Sequence, residues 1–252
     1  VVDLQGLFKS AILAFSSRGR RRVGFDGGRE CSSMFLNEQL PAYDPDRHAV
    51  LRYLDVADYL GAPTEDTPKL DFPRHDRAAE EAERLLAGLA SPRVVVNPGA
   101  KWVTKLWPAG HWQRLCGLLT EKAGLQVLLT GGPDEQAINA RIGAGLTGLI
   151  DLTGRTRLKV LAEVMRAADL VICPDTGPMH LAAAVGTPVT ALFGPTAPWR
   201  TGPFGPGHVV LRLESGCGPC FKKQCPDPHC MTGLTPETVF DKALDRLEKG
   251  RI

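Results

Sequence analysis

Residues 169–196, Asp-Leu-Val-Ile-Cys-Pro-Asp-Thr-Gly-Pro-Met-His-Leu-Ala-Ala-Ala-Val-Gly-Thr-Pro-Val-Thr-Ala-Leu-Phe-Gly-Pro-Thr, constrain this chain more than any other stretch. The apolar run 170–173, closed by Pro174, suits a parallel strand covered on both faces. Gly177 and Pro178 open a predicted helix that runs over 179–185 and stops at Gly186; residues 189–193 are the next predicted strand. Asp175, Thr176 and His180 thus fall where a strand gives way to a helix, the ligand edge of an open α/β sheet. The unpartnered N–H groups of such a first turn receive anions. Asp175 narrows the choice, because a carboxylate beside a bound diphosphate is repulsive unless it holds a hydroxyl. A phosphosugar nucleotide carries both kinds of group.

The same alternation extends on either side. Strands are predicted at 93–96, 125–130, 149–152 and 208–213, and helices at 108–123, from Pro133, and at 158–167. Residues 93–234 therefore read as one complete Rossmann-like domain, preceded by a helix and linker at 76–92. A helix follows over 235–252, with Pro236 at its first position. Its stripe of Val239, Phe240, Ala243, Leu244 and Leu247 needs a cover, expected from the N-terminal part. Residues 1–75 offer less: a strand end at Val1 and Val2, helices at 5–16 and 48–60, a short strand at 22–25, and an irregular stretch over 30–46. The run 62–74, with Pro63, Pro68 and Pro73, reads as a linker. A Rossmann-like half needs more βα units than this, so 1–75 is expected to be a partial domain and the chain to begin inside a longer protein.

The 252 residues, 43% of them hydrophobic, describe a globular chain, and no run approaches the length of a membrane span. A formal charge of +2 gives no reason to expect nucleic acid. Local clustering is more informative: Arg18, Arg20, Arg21 and Arg22 lie together, and Lys9, Arg29 and Arg52 are nearby in the chain. An anionic partner and a solvated basic surface both fit that pattern.

Three loops converge on the ligand edge. The first, 97–108, carries Lys101 and Lys105, either phosphate contacts or two exposed lysines. The second, 131–135, places Glu135 in a first helical turn, where it accepts from ribose hydroxyls or complements the helix dipole. The third is Asp175–His180, in which a polar helix start favours function for His180 over packing. The loop 194–199 closes the same edge. No Gly-x-Gly-x-x-Gly or Walker pattern occupies these positions.

These residues carry a family resemblance that spans nearly the whole chain. The run Asp-Thr-Gly-Pro-Met-His-Leu-Ala-Ala-Ala from Asp175, Phe-Gly-Pro-Thr from Phe193, and Lys-x-Trp-Pro-x-x-x-Trp from Lys105 resemble the ADP-heptose:lipopolysaccharide heptosyltransferases, inverting enzymes of the GT-B fold. Asp3-Leu-Gln-Gly-Leu-Phe-Lys-Ser, Gly24-Phe-Asp-Gly-Gly-Arg-Glu, Phe35-Leu-Asn and His48-Ala-Val-Leu-Arg are similar to the heptosyltransferase I branch, although Leu51 stands where that branch often has an acidic residue. The resemblance implies a GT-B-like α/β fold of two Rossmann-like domains, the N-terminal one incomplete here. Lys105 and Thr104 would meet the donor diphosphate, Glu135 the ribose and Asp175 the heptose hydroxyls. Thr176, Gly177 and His180 would surround the phosphates, with Met179 counted beside them. Lys105, Asp175 and His180 would stabilise the departing donor, with no catalytic cofactor. Lys9, Arg29 and Arg52 would face an anionic Kdo–lipid A acceptor in the N-terminal acceptor domain, and the enzyme would be cytoplasmic and peripheral at the anionic inner membrane. The family's general-base aspartate, on a Gly-Asp pair near its N-terminus, has no counterpart in this chain, so binding of donor without transfer is one expectation. Transfer to a first heptose, as in heptosyltransferase II, is another, and a non-catalytic nucleotide- or metal-binding module a third.

Seven cysteines raise a separate question. Cys31, Cys116 and Cys173 are scattered and expected to be buried small side chains. Cys217, Cys220, Cys225 and Cys230 cluster at ligand-like spacing, with His229 alongside. Structural zinc, disulfides and free thiols are all open, zinc leading. The cluster follows the last strand of the sheet, so it is expected to lie away from the three phosphate-facing loops.

Overall fold

The computed structural model of the chain describes residues 1–63 and 68–249. The predicted linker 62–74 and the end of the predicted 235–252 helix fall partly outside them. Two compact units are distinguished, Val1–Pro68 with Trp199–Thr201, and Lys69–Pro198 with Gly202–Ile252.

In the first unit, β1 (Val2–Asp3), α1 (Phe8–Ser16), β2 (Val23–Phe25), β3 (Glu38–Leu40) and α2 (Ala49–Tyr59) follow one another. The three strands form a parallel sheet in the order β1-β2-β3. Its small core is Val23, Phe25, Leu40 and Val56. Helix α1 starts later than its apolar spacing predicts. The Asp3 carboxylate accepts from the N–H groups of Gln5 and Gly6, and Gly6 adopts φ +61, so a turn precedes the helix. Strand β3 lies in the stretch expected to be irregular. Its Glu38 and Gln39 give no apolar alternation, and pairing with β2 makes the strand.

The second unit explains its own sequence better. From residue 76 the elements are α3 (Asp76–Leu86), β4 (Arg93–Val96), α4 (Ala109–Gly117), β5 (Gln126–Leu129), α5 (Gln136–Gly143), β6 (Leu149–Asp151), α6 (Leu158–Arg166), β7 (Leu170–Pro174), α7 (Gly177–Ala184), β8 (Val189–Phe193), α8 (Pro198–Thr201), β9 (Val209–Arg212), α9 (His229–Thr232) and α10 (Pro236–Lys249), of which α8 belongs from Trp199 on to the first unit. All six strands are parallel, in the order β6-β5-β4-β7-β8-β9. Side chains alternate across the sheet. Val94 and Val96 enter one apolar cluster with Trp107, Trp112 and Leu115, whereas Val95 enters the opposite one with Leu128 and Met165.

Helix α3 lies where a helix and linker are expected, and it packs on α6 with Ala78, Ala82 and Leu86 inside the second cluster, as part of this unit. The stripe of α10 was expected to be covered by the N-terminal part. Val239, Phe240, Ala243 and Leu247 are instead buried in the first cluster, against α4 and β7–β9. The sheet already offers an apolar face there, and the amphipathic helix closes it.

Candidate active site

The strand order reverses direction at β4, which has β5 on one side and β7 on the other. Chain leaving the carboxyl ends of β4 and β7 must part to opposite faces, and the crevice between them is where open α/β sheets bind ligands. Loop 97–105 follows β4, and Asp175 and Thr176 follow β7 into α7.

A cavity of about 270 Å³ opens at that point, lined by Lys101, Trp102, Lys105, Asp175, Thr176, Gly177 and His180. Five of the predicted site residues are thereby brought together: Lys105, Asp175, Thr176, Gly177 and His180. At its centre, Lys105 Nζ donates to Asp175 Oδ2 at 2.6 Å, the lysine side chain being 16% and the aspartate side chain 7% exposed. The ammonium also stands 4.6 Å from the centroid of the Trp102 ring, a cation–π contact. Thr196, buried in the loop after β8, donates its hydroxyl to the same Oδ2 at 2.7 Å. Two donors thus hold one oxygen of a nearly buried carboxylate, which keeps its orientation fixed. Burial and the nearby Asp175 carboxylate hold the Cys173 thiol far above its usual range, so it stays protonated and inert.

A second cavity, about 420 Å³, shares Lys101 and Thr176 with the first and extends over Gly99, Gly131, Gly132, Asp134, Glu135, Leu158 and Leu161. Glu135 stands at the helix start and at the wall of this cavity. Its Oε2 accepts from the Gly132 N–H at 2.6 Å, closing the helix start, while the carboxylate still faces the cavity. Gly99 makes this possible, since a Cβ there would lie 1.4 Å from Glu135 Oε1. Beneath, Asn97 donates to Thr130, and Asn139 donates to Thr130 and Thr153, a buried polar floor.

Several predicted roles need correcting. Met179 is fully buried in the second apolar cluster and lines neither cavity. It shares a helical face with Ala182 and Ala183, so α7 turns it inward. Thr104 is 3% exposed, and its hydroxyl donates to the Lys222 carbonyl at 2.8 Å rather than facing the cavity. The four clustered cysteines do approach one another, since burial and then Cys217, Cys220 and Cys225 push the Cys230 thiol up, but among the described residues no three His, Cys, Asp or Glu side chains are grouped to hold an ion. All seven thiols are free, and two are engaged locally, Cys225 with the Asp227 carbonyl and Cys217 with the Ser215 hydroxyl. Nor does their segment lie apart, for it meets the 97–105 loop at Thr104. Cys31 is exposed, on a left-handed turn.

In the first unit, Lys9 lies on α1, Arg29 in the loop after β2 and Arg52 on α2, each beyond the carboxyl end of a parallel strand. The Arg29 N–H donates to the Gly6 carbonyl, which draws the first two loops together. The Arg52 guanidinium stacks on Tyr43 at 4.4 Å. Within the basic cluster, Arg21 pairs with Glu38 and Arg22 donates to the carbonyls of Phe35 and Gly19, while the exposed Arg18 and Arg20 have no such side-chain bonds among the described residues. No helix among the described residues is long and apolar enough to cross a membrane.

Two parallel sheets of Rossmann type, with a polar cavity at the switch point of the larger, define a GT-B-like α/β protein. The chain belongs to glycosyltransferase family 9 (heptosyltransferase), which it matches over residues 1–231. It is 32% identical over 262 residues to lipopolysaccharide heptosyltransferase 1 of Pseudomonas aeruginosa, covering 95% of this chain and 71% of that one. With lipooligosaccharide heptosyltransferase 2 of Haemophilus ducreyi it shares 31% over 232 residues, 85% of this chain and 66% of that one. Among solved structures, E. coli heptosyltransferase WaaC with ADP superposes with a TM-score of 0.75 at 28% identity, covering 98% of this chain and 72% of that one. Relatives of both numbered branches are matched at similar identity.

Proposed function

We propose that the protein transfers heptose from ADP-L-glycero-D-manno-heptose to the Kdo region of lipopolysaccharide, with inversion at the anomeric carbon. The observation that carries this is the Lys105–Asp175 pair at the switch point, a cation for phosphate beside a fixed carboxylate for sugar hydroxyls. The diphosphate takes the place of Asp175 on the Lys105 ammonium and meets the N–H groups at the start of α7. Asp175, still held by Thr196, turns its accepting oxygens to the heptose. Glu135 holds the ribose, and the larger cavity with Leu158 and Leu161 takes the nucleoside.

In the reaction the oxygen of an acceptor hydroxyl attacks the anomeric carbon from the face opposite ADP, its proton passing to a base that none of these residues supplies. The bond from that carbon to the phosphate oxygen breaks with its electron pair, and Lys105 and the α7 amides stabilise the charge gathering on the leaving diphosphate. Lys9, Arg29 and Arg52 bind the anionic acceptor, and Arg18 and Arg20 contact the anionic inner leaflet. Co-sedimentation with anionic liposomes at low and at high salt tests the last point; no binding at low salt removes it.

The function is tested with the protein, ADP-heptose and two acceptors, one ending in Kdo and one already bearing a first heptose. Heptose on the Kdo acceptor with inverted configuration is expected. Transfer only to the second acceptor would favour the heptosyltransferase II reading, and donor binding with no transfer to either would favour a non-catalytic module.

Thr196→Val keeps the side-chain volume but removes the donor to Asp175. ADP-heptose affinity is expected to fall by about ten-fold, that of ADP by less than about two-fold, and Thr196→Ser to restore binding. Equal losses for both ligands would mean that Thr196 serves the fold and not the sugar site.

A further inference from the structure

The chain between β9 and α10 is short of apolar residues, yet it is seated on two loops of the site. The buried Thr104 hydroxyl donates to the Lys222 carbonyl at 2.8 Å. The Phe221 N–H donates to the Pro195 carbonyl at 2.8 Å, one residue before Thr196. Further on, the buried Met231 presses on Gly194 so closely that a Cβ there would lie 2.7 Å from its Sδ. Between these attachments Lys223, an exposed residue outside the lining of both cavities, holds its Nζ 5.2 Å from the centroid of the Trp102 ring. That same ring carries the Lys105 ammonium at 4.6 Å and lines the smaller cavity.

Two ammonium groups therefore share one indole, and the charges are unequal in company. Lys105 has Asp175, whereas no ion pair among the described residues includes Lys223. Like charges on one ring repel, and the ring quadrupole offsets only part of that. A polyanion in the cavity would turn the repulsion into a cradle. We propose that Lys223 is a further phosphate-binding residue of this site, directed at the diphosphate of a nucleoside diphosphate sugar, and that Thr104 is the peg that holds its segment in place. The proposal rests on the nucleotide-sugar reading above. It gives segment 221–223 a role in ligand binding that cysteine spacing does not announce, and Thr104 a positioning role in place of a phosphate contact.

The test is calorimetry of ADP and of adenosine on the wild type, Lys223→Met, Lys223→Arg, Thr104→Val and the double variant Thr104→Val/Lys223→Met, at one ionic strength. Lys223→Met is expected to lose about five- to ten-fold in ADP affinity and less than about two-fold for adenosine, while Lys223→Arg stays near the wild type. Thr104→Val is expected to weaken ADP selectively as well, and the double variant to lose no more than Lys223→Met alone, because the peg acts through the lysine. A wild type that binds ADP with Lys223→Met binding equally well would overturn the proposal, as would an equal loss for adenosine or additive losses in the double variant. A wild type that fails to bind ADP would overturn the nucleotide reading itself, and this inference with it.

Discussion

Replacing Lys105 by methionine is expected to weaken ADP binding by about ten- to a hundred-fold and to leave adenosine binding within about two-fold. The lysine is the cation that geometry sets deepest in the smaller cavity, and a charged hydrogen bond to phosphate contributes about 1.5–3 kcal/mol. Methionine has a similar reach and no charge, so the loss reports the phosphate contact. Asp175 keeps the Thr196 hydroxyl as a donor, which limits the damage to the fold. Calorimetry with the two ligands decides the matter: parallel losses for ADP and adenosine would make Lys105 a structural residue whose task is to neutralise Asp175.

The largest effect on stability is expected from Trp112→Ala. Trp112 is 1% exposed, meets Trp107 edge-on with ring centroids 4.8 Å apart, and lies in the apolar cluster that joins α4, the sheet and α10. Removing an indole from such a site costs about 3–5 kcal/mol, through lost transfer energy and an unfilled cavity. The comparison is Val103→Ala, at a residue 63% exposed, where a change within about 0.5 kcal/mol is expected. Urea denaturation should show a lower midpoint for Trp112→Ala with an unchanged slope. A loss below about 1 kcal/mol would mean that the cluster can close around the gap and that α10 does not depend on it.

Where the sequence was legible, burial on both faces made it so. β4 and β8 fall at their predicted bounds because Arg-Val-Val-Val and Val-Thr-Ala-Leu-Phe sit in a parallel sheet covered on both faces, which calls for a nearly continuous apolar run. β3 escaped notice because an edge strand with Glu38 and Gln39 owes its form to its neighbour. The site divides in the same way. Lys105, Asp175 and His180 follow from position at a strand end, which motif spacing records. Met179 stands in the same motif, but its direction is set by helical phase with Ala182 and Ala183, which a motif read as a string ignores. Thr104 and Thr196 exchange roles for a similar reason. The first is turned away by a carbonyl 118 residues distant, and the second is brought in because β8 neighbours β7. Thr196 had a signal of its own, a hydroxyl just past the end of the strand next to Asp175. The cysteine spacing was half legible: beyond burial, Cys217, Cys220 and Cys225 lie near enough to push the Cys230 thiol up, yet local hydrogen bonds engage two of the four and no metal-holding group forms among the described residues.

The central claim is that a nucleotide-sugar diphosphate occupies the crevice between β4 and β7. A crystal structure of the protein grown with ADP-heptose tests it most directly. The account predicts the diphosphate within hydrogen-bonding distance of Lys105 Nζ and the first amides of α7, the ribose at Glu135, and heptose hydroxyls on Asp175. A diphosphate bound elsewhere, with Lys105 still closed on Asp175, would contradict it.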